Sequence, residues 1–301
     1  MNEFFLENGK FTYISRKRTI NNLIREYNFL NYGIIGKSLC GRDLDFLSLG
    51  NTKNMNIWVS AHHGMEWLTS MLVFKFLKSA CEKIKKNEKI CGISLKKCYD
   101  EKGLLIIPCI NPDGVDISLL GPKAAGKYFK FVEKISKGKT FDWQANARGV
   151  DLNHNYDAGW HELSKLEKEN FIIGPSKTRF GGIRPISEPE TIALTSFCLK
   201  NNFSSAIAFH SQGEEIYWNY GNETPKKSEK MARMFALSSG YEISNPENLA
   251  VGGGFKDWFI SKFKKPALTV EIGKGKNPLP KEQLEKIYNK VEKSLYMSSI
   301  L

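Results

Sequence analysis

A histidine and a glutamate three residues apart could form part of a metal site. His63 and Glu66 follow an apolar segment, residues 55–59, and precede a helical pattern that begins near Trp67. Open α/β sheets place their functional sites at the carboxyl ends of strands. The spacing lets the imidazole and the carboxylate meet at one point, and Zn²⁺ accepts both as ligands. A polar turn that caps the following helix is the competing interpretation.

Two other polar residues lie at the ends of predicted strands. His210 follows residues 205–209, and Glu271 lies within the apolar segment 266–272. We predict His210 as a third ligand, because a close pair plus one distant ligand is typical of catalytic zinc. The Glu271 carboxylate needs a partner or a raised pKa, which fits a general base. A purely structural role is the alternative for both residues.

The elements that would position these residues alternate along the chain. Apolar periodicity predicts a first helix at about residues 17–29, and strands then alternate with helices. Residues 115–187 show weak periodicity and many aromatic residues, which predicts an irregular but ordered segment. The alternation predicts a mixed, mainly parallel sheet with helices on both faces. The chain has no internal repeat or linker, so we expect one domain over residues 1–301.

Composition and charge limit the class of protein. The chain has 301 residues, 41% of them hydrophobic, and a net charge of +12. This charge favours anionic partners, but no basic cluster is dense enough to predict nucleic-acid binding. No secretory signal is recognisable, and no apolar run reaches the about 20 residues of a membrane span. Six cysteines without metal-ligand spacing are typical of a reducing compartment, so we expect a cytoplasmic protein. They are Cys40, Cys81, Cys91, Cys98, Cys109 and Cys198.

Five short motifs carry a resemblance to a known family. They are HGMEW at residues 63–67, NPDG at 111–114, GVDLN at 149–153, FHS at 209–211 and VE at 270–271. In type and order they resemble the zinc carboxypeptidase A-like family, over roughly residues 33–295. The resemblance implies a three-layer α/β/α fold around a mixed, mainly parallel sheet of about eight strands.

The resemblance also assigns roles, residue by residue. It implies one zinc ion per chain, with three ligands: His63, Glu66 and His210. Glu271 becomes the general base that takes a proton from the attacking water and delivers it to the leaving nitrogen. Arg148 is a candidate donor to the developing oxyanion, although it could equally hold the loop through Asp151. His62 is one position out of phase and is predicted not to be a ligand.

Three departures from the family pattern predict a modified substrate site. His154 follows Asn153 where typical members carry Asn-Arg, and histidine lacks the bidentate fork of arginine. The position of the family's mobile tyrosine falls near Leu249. Lys256 occupies the specificity-pocket position and favours an anionic group. We predict that Asn153, His154 and Lys256 contact the substrate.

The segments at residues 146–156 and 255–259 look most like the bacterial γ-D-glutamyl-L-diamino acid peptidase branch. This resemblance implies hydrolysis of the γ-D-glutamyl–diaminopimelate bond in cell-wall stem peptides. The stem carries several carboxylates, which suit Lys256 and the positive net charge. A conventional metallocarboxypeptidase that removes C-terminal residues from peptides is the second interpretation. A binding protein without catalysis and an acyl-amino-acid deacylase are further alternatives.

Overall fold

The computed structural model describes residues 4–90, 92–246 and 248–301, so Cys91 lies outside the described residues. The other five cysteines are free thiols. Eight strands form one sheet, and two short strands pair separately. In chain order the strands are β1 (Asn31–Lys37), β2 (Asp43–Leu49), β3 (Met55–Ser60), β4 (Lys89–Ile90), β5 (Ile93–Ser94), β6 (Gly103–Ile107), β7 (Phe203–His210), β8 (Glu215–Tyr217), β9 (Glu242–Ile243) and β10 (Ala267–Glu271).

The large sheet has the spatial order β1-β2-β6-β3-β7-β10-β8-β9, while β4 pairs with β5. Its central strands β6, β3, β7 and β10 run parallel to one another. Antiparallel pairs join β1 to β2, β2 to β6 and β10 to β8. The predicted mixed, mainly parallel sheet is therefore confirmed.

Helices cover the sheet on both sides. They are α1 (Tyr13–Glu26), α2 (Leu68–Lys85), α3 (Leu95–Glu101), α4 (Pro112–Leu120), α5 (Phe129–Ser136), α6 (Trp160–Glu169), α7 (Pro189–Lys200), α8 (Lys226–Ser239), α9 (Phe255–Phe263) and α10 (Leu284–Ser299). None of the described helices combines the length and apolar character that crossing a bilayer requires. The cytoplasmic location and the single-domain assignment stay predictions.

Strand β3 illustrates why helices pack on both faces. All six of its residues are buried, and successive side chains point to opposite faces of a strand. Ile57 and Val59 join an apolar cluster with residues of α7 and α9. Trp58 joins a second cluster with residues of α2, α8 and α10. The fold is therefore a three-layer α/β/α arrangement, as the resemblance implied.

Residues 115–187 contain more helix than the weak periodicity predicted. Helix α4 begins at Pro112, and the Asn111 side chain caps it by accepting the Gly114 N–H at 2.9 Å. This helix, α5 and α6 have only eight to ten residues each, too few turns to show a clear period. The prediction of an irregular segment was therefore wrong over α4, α5 and α6.

The first helix of the chain begins at Tyr13 rather than near residue 17, because Thr12 caps it.

Candidate active site

The turn after β3 carries His63 and Glu66. It is a three-residue 3₁₀ turn that begins at Gly64. A Cβ atom at Gly64 would lie 2.2 Å from the carbonyl oxygen of Gly114, so only glycine fits without a backbone shift. The Gly64 N–H donates to the Gln144 carbonyl at 2.9 Å. These contacts fix the turn at the carboxyl end of the strand.

His210 is the last residue of β7, which lies between β3 and β10. It pairs in register with Glu271, the last residue of β10. Its neighbour Phe209 pairs with Ser60 at the end of β3. The ends of three adjacent strands therefore bring the turn, His210 and Glu271 to the same edge of the sheet.

The Glu66 carboxylate lies between two imidazoles. Its Oε1 is 2.8 Å from Nδ1 of His63, and its Oε2 is 3.0 Å from Nδ1 of His210. One ligand atom from each residue lies within 4.8 Å of the others. Two imidazole nitrogens and a carboxylate are a ligand set of catalytic zinc, which keeps a further position open. The donor set therefore fits a zinc ion.

Burial and the neighbouring charges shift the pKa values of this cluster in opposite directions. Burial would raise the pKa of Glu66, but His63 and His210 lower it to about 2. Burial would likewise lower the pKa of His63, but the carboxylates of Glu66 and Asp151 raise it well above its usual value. Carboxylates that attract protons to His63 attract a metal cation for the same reason. A metal ion would then displace the protons from its ligands.

Glu271 lines the same cavity as His63 and Glu66. Burial raises the pKa of Glu271 well above its usual value, and the charges of Glu66 and Glu215 raise it further against an opposing effect of His63. A carboxylate with a raised pKa is a stronger base than an ordinary glutamate, which suits a residue that accepts a proton from water. The catalytic role of Glu271 stays a prediction at this point.

Comparison with known proteins places this arrangement in a family. The sequence profile of the family described as zinc carboxypeptidase matches residues 17–294. The chain belongs to the zinc carboxypeptidase family. It is accordingly a metallopeptidase of a zinc-dependent family.

Individual relatives agree with this assignment. The metallopeptidase is 33% identical over 287 residues to γ-D-glutamyl-L-diamino acid endopeptidase 1 of Lysinibacillus sphaericus, covering 94% of this chain and 71% of the relative. It is 34% identical over 278 residues to the uncharacterised protein YqgT of Bacillus subtilis (strain 168), covering 91% and 73%. The structure of bovine thrombin-activatable fibrinolysis inhibitor in complex with tick carboxypeptidase inhibitor has the same fold. Its TM-score is 0.73 at 20% identity, covering 95% of this chain and 94% of the other.

Asp151 supports the ligand histidine of this metallopeptidase. Its Oδ1 lies 3.1 Å from Nε2 of His63 and accepts the Asn153 N–H at 3.1 Å. Its Oδ2 accepts the Arg179 N–H at 3.0 Å. A carboxylate partner fixes the ring of a ligating histidine and strengthens its donor nitrogen. The sequence interpretation missed this role, although Asp151 lies in the GVD motif that carried the resemblance.

His62 is adjacent to the ligand turn but has other contacts. Its Nε2 lies 3.1 Å from the Tyr156 hydroxyl, and its ring stacks on His210 at 5.3 Å between centroids. Burial lowers the pKa of His62 well below its usual value, and the charges of His210 and His63 lower it further. It is therefore a neutral packing residue outside the ligand group formed by the described residues.

Arg148 binds a carboxylate within the protein. Its Nε and Nη2 donate to Oε2 of Glu188 at 3.1 and 2.9 Å. Glu188 is buried and also accepts from the Asn146 amide at 2.7 Å. Among the described residues that line the cavity at His63, Arg148 is absent. The structure does not bring it to the metal cluster, and its oxyanion role stays a prediction.

Asn153 and His154 also have internal partners. The Asn153 side chain accepts the N–H of Phe255, the first residue of α9. Nδ1 of the buried His154 lies 2.8 Å from Oε1 of Glu167 on α6. These contacts connect the loop at residues 149–154 to two helices, so both side chains have partners within the protein.

Lys256 is buried and paired. Its ammonium group donates to the carboxylate of the neighbouring Asp257 and to the Asn219 carbonyl at 2.7 Å. Asp257 in turn accepts the Gly252 N–H at 2.8 Å. In the part of the chain that the structure describes, Asn153, His154 and Lys256 do not line the cavity beside the metal cluster. Their substrate contacts stay predictions that these internal pairs do not favour.

The cavity beside the cluster has a volume of about 1490 Å³. We call this cavity the cleft. His63, Glu66 and Glu271 line it, together with residues 170–179. Glu215 and Tyr217 of β8 line it as well, and they were not singled out from the sequence. Its volume exceeds that of common small-molecule pockets, about 300–1000 Å³. The cleft therefore has room for several residues of a peptide.

Proposed function

We propose that this metallopeptidase hydrolyses the γ-D-glutamyl–diaminopimelate bond of bacterial cell-wall stem peptides. The observation that carries the proposal is the 33% identity to γ-D-glutamyl-L-diamino acid endopeptidase 1 over 94% of the chain. The cleft volume of about 1490 Å³ supports it, since a stem peptide with residues on both sides of the scissile bond needs more room than a single terminal residue.

The proposal includes one zinc ion per chain, held by His63, Glu66 and His210. When bound, zinc supplies positive charge that polarises the scissile carbonyl and makes water more acidic. Asp151 keeps the His63 ring in its orientation through the contact at Nε2. Glu66, fixed between two imidazoles, keeps both rings facing the same point.

Glu271 moves the proton in this proposal. Its carboxylate takes a proton from the attacking water as the new bond to the carbonyl carbon forms. As the C–N bond breaks, the carboxyl group gives that proton to the leaving amine of diaminopimelate and becomes a carboxylate again. The raised pKa that burial and the Glu66 and Glu215 charges cause favours holding the proton between the two steps.

Purified zinc-loaded protein incubated with L-Ala-γ-D-Glu-meso-diaminopimelate tests the proposal. Mass analysis should show free diaminopimelate and L-Ala-D-Glu. The matched control peptide carries the same residues with an α-linked D-glutamate and should be cut far more slowly. Glu271→Gln protein, prepared in parallel, controls for contaminating peptidases.

A conventional metallocarboxypeptidase predicts the opposite preference. It would remove C-terminal residues from ordinary α-peptides faster than it cuts the stem. That result would contradict the cell-wall substrate while leaving the assignment as a metallopeptidase unchanged.

A further inference from the structure

The positively charged side chains of the cleft differ in how they are paired. They are Lys177, Arg179 and Lys276. Lys177 donates to the Asp142 carboxylate at 2.6 Å, so its charge is compensated. Arg179 is exposed, and no ion pair or hydrogen bond of its guanidinium with another described residue is found. The cleft thus contains an arginine whose charge is available to a ligand.

The backbone of Arg179 is fixed relative to the metal cluster. Its N–H donates to Oδ2 of Asp151 at 3.0 Å, and the next residue, Phe180, accepts the Asp151 N–H at 2.8 Å. The other oxygen of Asp151 contacts His63. Lys276 has no comparable link to a ligand residue among the contacts of the described chain. One carboxylate therefore holds both the ligand histidine and the arginine segment.

Arg179 also has an unusual backbone conformation. Its φ of +66° lies in the left-handed region, which residues with a side chain seldom adopt. Such conformations persist where surrounding contacts impose them, and they concentrate at ligand sites. Asp151 holds this segment through hydrogen bonds with the Arg179 N–H and with the Phe180 carbonyl.

The basic residues that the sequence analysis assigned to the oxyanion or to the substrate have partners within the protein. Arg148 is paired with a buried glutamate, and His154 and Lys256 are each paired with a buried carboxylate. A compensated cation attracts a further anion weakly, whereas a free guanidinium offers a planar fork that matches a carboxylate. Among the described residues that line the cleft, this leaves Arg179 as the arginine suited to binding a carboxylate.

We propose that Arg179 binds an anionic group of the substrate next to the scissile bond. If the proposed function holds, on which this identification rests, the group is the free α-carboxylate of the γ-linked D-glutamate. That carboxylate is joined to the scissile γ-carbonyl through the Cα, Cβ and Cγ atoms of the same D-glutamate. Binding it would therefore also position the scissile bond at the metal cluster. Arg179 would then determine specificity for acidic over amidated stems.

The test compares two stem peptides that differ in a single group. One carries the α-carboxylate on D-glutamate, and the other carries an α-carboxamide in its place. The variant Arg179→Gln removes the charge but keeps the Cβ atom and the N–H that bonds Asp151, so the backbone is unchanged. Arg179→Lys keeps the charge without the fork. Arg184→Gln is the matched control, because the guanidinium of the exposed Arg184 donates to the nearby carbonyls of Pro185 and Ile186 and, among the described residues, is not part of the cleft lining.

Wild-type protein should prefer the carboxylate stem. Arg179→Gln should lower kcat/KM for that stem about 10- to 100-fold and for the carboxamide stem less than about threefold. For the carboxylate stem, kcat/KM of Arg179→Lys should lie between the values of wild type and Arg179→Gln. Arg184→Gln should match wild type on both stems. Zinc content near that of wild type would show that the Asp151–His63 contact is intact. An equal loss on both stems, or no loss on either, would overturn the proposal.

Failure of the proposed function gives a different result. Wild-type protein would then cut neither stem and would instead release C-terminal residues from α-peptides. The same variants are in that case compared on an α-peptide with a free or an amidated C-terminus. A loss confined to the free carboxylate supports Arg179 as the anion-binding residue with another anion, and an equal loss on both overturns it.

Discussion

Nε2 of His63 lies 3.1 Å from Oδ1 of Asp151, while Nδ1 of the same ring faces Glu66 at 2.8 Å. Both ring nitrogens therefore contact a carboxylate, and only one of these carboxylates belongs to the ligand group. Because Asp151 also bonds the backbone of Arg179, it connects the metal cluster to the wall of the cleft.

Replacing Asp151 should weaken metal binding without removing a ligand. In Asp151→Asn the negative charge that raises the pKa of His63 is lost, and the ring loses its orienting partner. We expect zinc affinity to fall about 10- to 100-fold, as measured by competition with a chromogenic chelator. Asp142→Asn, which changes a cleft carboxylate bonded to Lys177, should leave the affinity unchanged. Equal affinities for wild type and Asp151→Asn would contradict the supporting role.

The two adjacent histidines should differ in their effect on metal content. His63→Ala removes a ligand, so zinc measured by atomic emission should fall from near one per chain to a small fraction. His62→Phe keeps an aromatic ring against His210 and Tyr156 and removes only the hydrogen bond to the hydroxyl. It should retain its zinc. Full zinc retention in His63→Ala would refute the assigned ligand set.

Glu271→Gln should separate proton transfer from metal binding. The amide has the size of the carboxyl group but cannot accept a proton from water. Zinc content and unfolding midpoint should stay near those of wild type, while kcat falls about 10²- to 10⁴-fold. If the variant keeps activity within about tenfold, roughly 1.4 kcal/mol of barrier, another group accepts the proton.

The positions of the site residues could be predicted from the sequence, because buried parallel strands leave continuous apolar runs. His210 and Glu271 end two such runs, and the strands that carry them are neighbours in the sheet. The turn at His63 follows a third run in the strand on the other side of β7. Strand ends therefore predicted which residues meet, without any knowledge of side-chain orientation.

The partners of the charged residues could not be predicted in this way. Lys256 could point to the substrate or to its neighbour Asp257, and the spacing of the two residues is the same in both cases. The pairing of His154 with Glu167 depends on how α6 packs against the GVDLN loop. Such choices are made by tertiary packing of irregular segments, which have no period that a sequence pattern could reveal.

The buried pair of Lys256 and Asp257 leads to a prediction about stability. Lys256→Met leaves the Asp257 carboxylate buried without its cation, which should cost about 3–5 kcal/mol in the free energy of unfolding. The double variant Lys256→Met/Asp257→Asn should recover much of this loss in urea titrations. A selective loss of kcat/KM on anionic substrates, with stability unchanged, would instead support the substrate role predicted from the sequence.

A buried glutamate away from the metal cluster gives a prediction about pH. Glu190 is fully buried and accepts the Leu39 N–H at 2.8 Å through Oε1. Burial raises the pKa of Glu190 to about 8, and the nearby Asp113 charge contributes, although the Leu39 N–H opposes the shift. The folded protein therefore binds a proton at Glu190 under conditions where the unfolded chain has released it.

The sign of the effect on stability follows from this difference in proton binding. A group whose pKa is raised by folding contributes most below its unfolded pKa, near 4.5, and its contribution is lost as the pH rises to about 8. Glu190→Gln does not titrate and keeps an oxygen for the Leu39 N–H. The unfolding free energy of wild type minus that of Glu190→Gln should therefore decrease between pH 5 and 8, by at most about 1.4 kcal/mol per pH unit.

Urea titrations at three pH values measure this difference in unfolding free energy, with Glu169→Gln on the exposed surface of α6 as the control for the charge change. A difference that increases with pH would show that Glu190 is stabilised as a carboxylate rather than as the protonated acid.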